Sequence, residues 1–258
     1  MSARPTALPA AFLSTPIAHR ALHDISAGRP ENAPAAIQAA VDAGYGIEVD
    51  IQMSADGQAM VFHDYQLDRL TPEKGAFQLR DAAELGAISL SGSAAGDTIP
   101  TLVQVLEMVA GQVPLLIEIK DQDGAMGPNT GALEKAMAAD LVGYVGPVAM
   151  MSFNPHSVAA FASLAPDVAR GLVTGSFARE NWGLVPEKRL AELRSIPDYS
   201  RVGASFISHR ASDLGNINVA RLKADGAHIL CWTIRSQEED AKAREVAENV
   251  TFEGYIPV

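Results

Sequence analysis

Two stretches of this chain put carboxylates where apolar surroundings are expected. In Gly46–Met53 the apolar Ile47, Val49 and Ile51 alternate with Glu48, Asp50 and Gln52. Successive side chains on a strand point to opposite faces, so Glu48 and Asp50 share a face, with Cα atoms about 6.6 Å apart. If the apolar face meets helices, both carboxylates look into a barrel interior. Two carboxylates in such a low-dielectric space cannot both ionise without a cation. A hard divalent ion with oxygen ligands, Mg²⁺ or Ca²⁺, meets that need. Residues 115–120 repeat the pattern, with Leu115, Ile117 and Ile119 on one side and Glu118 and Lys120 on the other. Glu118 is a candidate third ligand, and Lys120 a point charge for a phosphoryl oxygen. A structural ion pair inside the barrel competes with this reading for either strand taken singly. For both together it is weaker, because acidic groups outnumber their partners.

His19 and Arg20 end one strand candidate and His63 ends another. Histidine titrates near neutrality and suits proton transfer. Arginine grips phosphate through two parallel N–H donors. One histidine at a strand end is commonly structural; two, beside an arginine and a carboxylate cluster, favour catalysis. Weaker signals are weighed against blander roles. Asp121-Gln122-Asp123-Gly124 lacks the remaining acidic positions of a calcium loop and reads as a turn, with Asp121 a candidate outer contact of the metal. His23 and Asp24 read as solvated loop residues, and Glu31 as structural or supporting. Ser208-His209-Arg210 divides evenly between pocket lining and structure. Cys231 reads as buried and inert, which turns Trp232 towards the interior.

Elements that would position these residues follow from periodicity. Strand candidates are residues 17–22, 46–53, 59–63, 115–120, 148–153, 169–174, 204–208 and 229–235, several almost wholly apolar. Helix signals fall between them. Asn32 is a candidate cap for a helix ending at Gly44, and Thr101 with Gln104 forms a capping box. Asn154-Pro155 opens another helix, and Ser236 with Glu239 forms a second capping box. Such alternation predicts an α/β fold with parallel strands inside helices, and eight candidates favour a closed (β/α)₈ TIM barrel. Its expected extent is residues 1–258 as a single domain. Residues 85–97 and 177–199 are the least regular and are candidate loops over the barrel mouth.

Composition narrows the function. A net charge of −11 and a pI near 4.9 oppose binding to nucleic acid and docking on anionic membranes. A small anionic substrate remains compatible if a metal and a few basic residues reverse the local field. One cysteine excludes a disulfide framework and a cysteine zinc site. Pro5, Pro9 and Pro16 interrupt the first sixteen residues, so neither a signal peptide nor a membrane span is read there, and the expected location is cytoplasmic. Nothing in the sequence sets the oligomeric state.

Ile17-Ala18-His19-Arg20, Pro30-Glu31-Asn32, Glu48-Val49-Asp50 and Val61-Phe62-His63-Asp64 follow one another in the order seen in glycerophosphodiester phosphodiesterases. Ile99-Pro100-Thr101-Leu102, Glu118-Ile119-Lys120 and Trp232-Thr233 extend the likeness over most of the chain. The chain thus resembles that family. The resemblance implies a (β/α)₈ barrel hydrolysing glycerophosphodiesters to glycerol 3-phosphate and an alcohol. It implies Glu48, Asp50 and Glu118 as ligands of one divalent ion, Mg²⁺ or Ca²⁺, with Mn²⁺ a further candidate. It also implies His19 and His63 as the acid–base pair, Arg20 and Lys120 as phosphate holders, and Trp232 as a pocket wall. The nucleophile is water or a neighbouring substrate hydroxyl.

The chain departs from the family pattern in three places. Ala21 stands where glycine is common, residues 21–29 are longer than usual, and Phe252-Glu253-Gly254-Tyr255-Ile256-Pro257 replaces an Asp-Xaa-Pro ending. These leave the leaving group open. Competing readings are a phospholipase-type diesterase acting on lysophospholipids, a non-catalytic barrel binding a phosphorylated metabolite, and a metal-dependent isomerase or aldolase. The last gives the His-Arg pair no role.

Overall fold

The inner and outer faces of the strands build two separate cores. The computed structural model describes residues 5–183 and 185–257; residues 1–4, part of the segment expected to lack a leader, lie outside the described residues. In chain order the strands are β1 (Ile17–Ala18), β2 (Gly46–Met53), β3 (Ala59–Val61), β4 (Leu115–Ile119), β5 (Val148–Ser152), β6 (Ala169–Thr174), β7 (Phe206–Arg210), β8 (His228–Ile234) and β9 (Asn249–Phe252). The helices are α1 (Ala11–Ser14), α2 (Pro34–Ala43), α3 (Ala82–Leu85), α4 (Leu102–Val109), α5 (Ala132–Asp140), α6 (Pro155–Leu164), α7 (Glu187–Arg194), α8 (Ile217–Ala224) and α9 (Gln237–Ala243).

Parallel pairing runs β1-β9-β8-β7-β6-β5-β4-β2, and β1 pairs again with β2, closing a (β/α)₈ barrel. Outward residues such as Ile47, Val49, Ile117, Ile207 and Cys231 pack with the helices in the larger core. Inward residues Ile17, Leu116, Met151, Val173, Phe206 and Leu230 form a second core inside the ring. Phe12 of α1 is fully buried in that inner core, and Asn249 donates to the carbonyls of Phe12 and Thr15 at 2.8 and 2.6 Å. The segment before β1 therefore plugs the end of the barrel where the strands begin.

Three expectations need correction. Residues 59–63 do not supply a barrel strand: β3 runs antiparallel to β2, pairing Val61 with Ile51 and Ala59 with Met53. The missing barrel strand is β9, whose four residues follow a short charged helix and carry little periodic signal. The first strand stops at Ala18, because Arg20 and Ala21 turn the chain with φ of 52° and 65°. Asn32 also has positive φ and does not cap α2, whose N-cap is Ala33 with Pro34 at the first turn. The caps at Thr101, Asn154 and Ser236 form as expected, as does the left-handed stop at Gly44.

Gly171 on β6 marks how tightly the inner core is filled, since a Cβ there would lie 2.4 Å from the Phe206 ring. Gly171→Ala is expected to cost about 1–3 kcal/mol in urea unfolding through overpacking. Adding Phe206→Leu should recover part of the loss, and an unchanged midpoint in the single variant would mean that the inner layer has slack.

Candidate active site

The inward face of β2 carries the centre of the site. Glu48 and Asp50 are 1% and 2% exposed, and the parallel register sets Asp50 directly beside Glu118 of β4. Carboxylate oxygens of Glu48, Asp50 and Glu118 lie within 4.8 Å of one another. Gln52, the next inward residue of β2, donates to the carbonyls of His63 and Asp64 at 3.0 and 2.5 Å. The same alternation that buries the carboxylates thus pins the loop that carries His63.

The eight residues singled out from the sequence, His19, Arg20, Glu48, Asp50, His63, Glu118, Lys120 and Trp232, all line one cavity of about 60 Å³ at the end of the barrel where the strands finish. Lys120 Nζ lies 2.9 Å from Glu118 and 3.3 Å from Asp50, and Arg20 Nε lies 3.6 Å from Asp50. Trp232 donates from its indole to the Ser208 carbonyl at 3.0 Å and sets its ring edge-on to Phe153. A wider pocket of about 400 Å³ adjoins the cavity, sharing His63, Glu118, Lys120 and Phe153 and adding Tyr65, Met126 and Trp182. Phe177, Val185, Leu190 and Leu193, from the irregular stretch after β6, pack with Met126 beside this pocket as a small apolar cluster.

Charge in the cavity is unevenly shared. Burial, followed by repulsion from Asp50 and Glu118, pushes the Glu48 carboxyl well above its ordinary value, despite the Arg20 amide donating to it at 2.8 Å. Burial works in the same direction on Asp50, but Lys120, His63 and Arg20 overcome it and hold that carboxyl ionised. Lys120 is pushed down by burial, yet Glu118 and Asp50 raise it further and keep the ammonium. The surroundings therefore push Glu48 and Asp50 in opposite directions, opposing ionisation of the first and favouring it in the second. All-oxygen donors at this spacing, one of them disfavoured as an anion for want of positive charge, suit a hard divalent ion.

Both imidazoles are oriented by carboxylates. His19 Nδ1 lies 2.5 Å from Glu253 Oε2, and His63 Nδ1 lies 2.7 Å from Asp64 Oδ1. Burial lowers the pKa of His19 despite the Glu253 contact, so its ring is neutral at neutral pH. Arg69 holds Asp64 at 2.6 Å and grips Glu31 through two nitrogens at 2.8 Å, while Glu31 accepts from Arg20 at 2.8 Å. Asn32 donates to Asp50 at 3.1 Å from a buried amide.

Sequence reasoning missed these supports. Asn32 was visible as a cap and as part of the Pro30-Glu31-Asn32 segment but with no role at the carboxylates, Glu253 only as a departure near the end of the chain, and Arg69 lies in a loop without local signal. His23, read as a solvated loop residue, instead approaches Glu253 at 3.6 Å. Asp121 stands apart from the carboxylate triad, accepting from Asn154 and from the Met126 amide. His209 is fully buried between Thr174 and Asp213 and so is structural, whereas Arg210 lines a surface pocket together with Trp232.

The description "Glycerophosphoryl diester phosphodiesterase family" belongs to the family model that matches residues 19–249. A Bacillus subtilis (strain 168) protein, YhdW, bearing the provisional name of a glycerophosphodiester phosphodiesterase, is 30% identical over 88% of both chains. A glycerophosphodiester phosphodiesterase of Caldanaerobacter subterraneus subsp. tengcongensis is 29% identical over 86% of both. Among solved structures, an Oleispira antarctica phosphodiesterase in complex with its product sn-glycerol-3-phosphate superposes with a TM-score of 0.75 at 25% identity, covering 95% of this chain and 94% of that one.

The upward shift at Glu48 has a measurable consequence. A carboxyl whose folded pKa is raised keeps its proton while the unfolded chain loses it, so stability falls as pH rises from about 4.5 through the folded value, by up to about 1.4 kcal/mol per pH unit. Glu48→Gln removes this loss. In chelator-treated protein the variant should match wild type near pH 4 and melt higher at pH 8; equal melting at both would mean that Glu48 carries no such burden.

Proposed function

The chain belongs to the glycerophosphoryl diester phosphodiesterase family, and from that premise we propose that it hydrolyses small glycerophosphodiesters to glycerol 3-phosphate and an alcohol with the help of a divalent cation. The observation that carries this reading is the opening of two carboxylate-anchored imidazoles and three clustered carboxylates onto one cavity. No helix among the described residues is long and apolar enough to cross a membrane, in keeping with a small substrate that diffuses in.

Glu48, Asp50 and Glu118 would hold the cation, Mg²⁺ or Ca²⁺ by their all-oxygen chemistry and Mn²⁺ as a further choice. Such an ion would supply charge to the non-bridging phosphoryl oxygens. Arg20 complements it. Its Nε is buried without a hydrogen-bond partner among the described residues, a donor left over for a phosphoryl oxygen. Lys120 adds a second positive charge on the same cavity.

Glu253 accepts from Nδ1 of the neutral His19, which leaves Nε2 free to take a proton from the nucleophile. Water and the glycerol hydroxyl next to the phosphate make the same demand of His19. His63 lines both the cavity and the wider pocket, so it stands beside a leaving group lodged there and protonates the departing alkoxide. Phe153 lines both spaces, and the Trp232 ring meets it edge-on from within the cavity. Tyr65, Met126, Phe153 and Trp182 also offer apolar surface in the wider pocket, which favours lysophospholipid hydrolysis as a second reading.

One panel tests both. Glycerophosphocholine, glycerophosphoethanolamine and a lysophospholipid are incubated with Mg²⁺, Ca²⁺ or Mn²⁺ after EDTA treatment, and released phosphomonoester is measured. Turnover should require the ion, and the water-soluble diesters should be preferred. His19→Ala and His63→Ala should each lower kcat by about 10²–10⁴-fold, the usual contribution of a positioned acid or base. A loss under tenfold for either removes it from the mechanism. The base works when neutral, so kcat/KM should rise with pH through the lowered pKa of His19, below 6.5. Glu253→Gln deletes a contact that raises that pKa, so the acid limb should move to lower pH; an unmoved limb would deny Glu253 its positioning role.

A further inference from the structure

A second group of metal-ligating side chains lies beside the first and differs from it in chemistry. Nitrogen atoms of His19 and His23 and a carboxylate oxygen of Glu253 all fall within 4.8 Å of one another. Both imidazoles address the same oxygen: Glu253 Oε2 is 2.5 Å from His19 Nδ1 and 3.6 Å from His23 Nε2. Arg235 holds the other oxygen, Oε1, at 2.6 Å and so turns Oε2 towards the histidines. His23 Nε2 is buried yet has no hydrogen-bond partner among the described residues, since 3.6 Å is too long for one. The side chains are 15%, 26% and 20% exposed, open enough for an ion to enter from solvent.

We propose that His19, His23 and Glu253 form an inhibitory site for an imidazole-seeking divalent transition ion, of which Zn²⁺ is the type. Two imidazoles and one carboxylate are a donor set that zinc accepts, with bonds of about 2.0–2.2 Å. Softer nitrogen donors select against Mg²⁺ and Ca²⁺, which the all-oxygen triad prefers, so the two neighbouring sites discriminate by ligand type. Inhibition follows from the tautomer. With Nδ1–H donated to Glu253, the Nε2 lone pair of His19 is available. A metal ion on Nδ1 displaces that proton, and a neutral ring bound through Nδ1 carries its hydrogen on Nε2. The ring then has no lone pair left to accept a proton. His23 sits in residues 21–29, the stretch in which this chain departs from the family pattern, and it takes no part in the proposed hydrolysis.

The experiment uses the full chain saturated with Ca²⁺, wild type against His23→Ala. Added ZnCl₂ should raise the melting temperature of wild type and inhibit its turnover of glycerophosphocholine. His23→Ala should keep its basal turnover, and its half-inhibiting zinc concentration should rise by at least about tenfold, since losing even a residue that supports a ligand commonly costs that much affinity. Raising Ca²⁺ tenfold should leave zinc inhibition of wild type unchanged. Equal zinc sensitivity in the variant, relief by Ca²⁺, or no zinc-dependent shift in wild-type melting would each overturn the proposal. The inhibition readout rests on His19 as the base. The melting readout does not, so a chain inactive on every diester would defeat the function proposed above while still testing the zinc site.

Discussion

Three carboxylates forced to share the interior of a closed barrel are the constraint from which the rest of the site follows. Closure turns one face of β2 and β4 inward, and parallel register sets Asp50 against Glu118. Left alone, that acidity is too great for its surroundings, and the protein meets it in two ways. Lys120 and Arg20 lean on Asp50 and Glu118, and the Glu48 carboxyl is held well above its ordinary pKa. A divalent ion at this triad, as proposed above, would offset the repulsion that raises Glu48 and ease the demand on Lys120 and Arg20.

Around that centre the supports form a chain of charge. Asp50, Arg20, Glu31, Arg69 and Asp64 alternate in sign from the floor of the cavity to its rim, where Asp64 meets the His63 ring. Each link holds its neighbour in one orientation, which would serve the proton transfer proposed for His63. Glu253 does for His19 what Asp64 does for His63, although the two carboxylates come from opposite ends of the chain.

Local alternation in sequence was enough to place Glu48, Asp50 and Glu118 on inward faces, because strand period is a property of a few neighbouring residues. The helix caps at Thr101, Asn154 and Ser236 were legible for the same reason. What escaped was set by distant partners. Strand β9 is four residues long and is defined by pairing with β1 and β8, not by its own pattern. Residues 59–63 have the composition of a barrel strand, but β2 already pairs with β1 and β4, so they fold back antiparallel on its far end. Asn32 looked like a cap, since its amide bond to Asp50 spans eighteen residues of sequence.

The contact between His19 and Glu253 spans 234 positions of sequence. During synthesis on the ribosome the first histidine emerges almost at once, and its carboxylate arrives only after every intervening strand has left the exit tunnel. Strand β1 likewise waits for β9 before the ring can close. A nascent chain therefore carries Glu48, Asp50 and Glu118 on β2 and β4 well before Glu253 can reach His19.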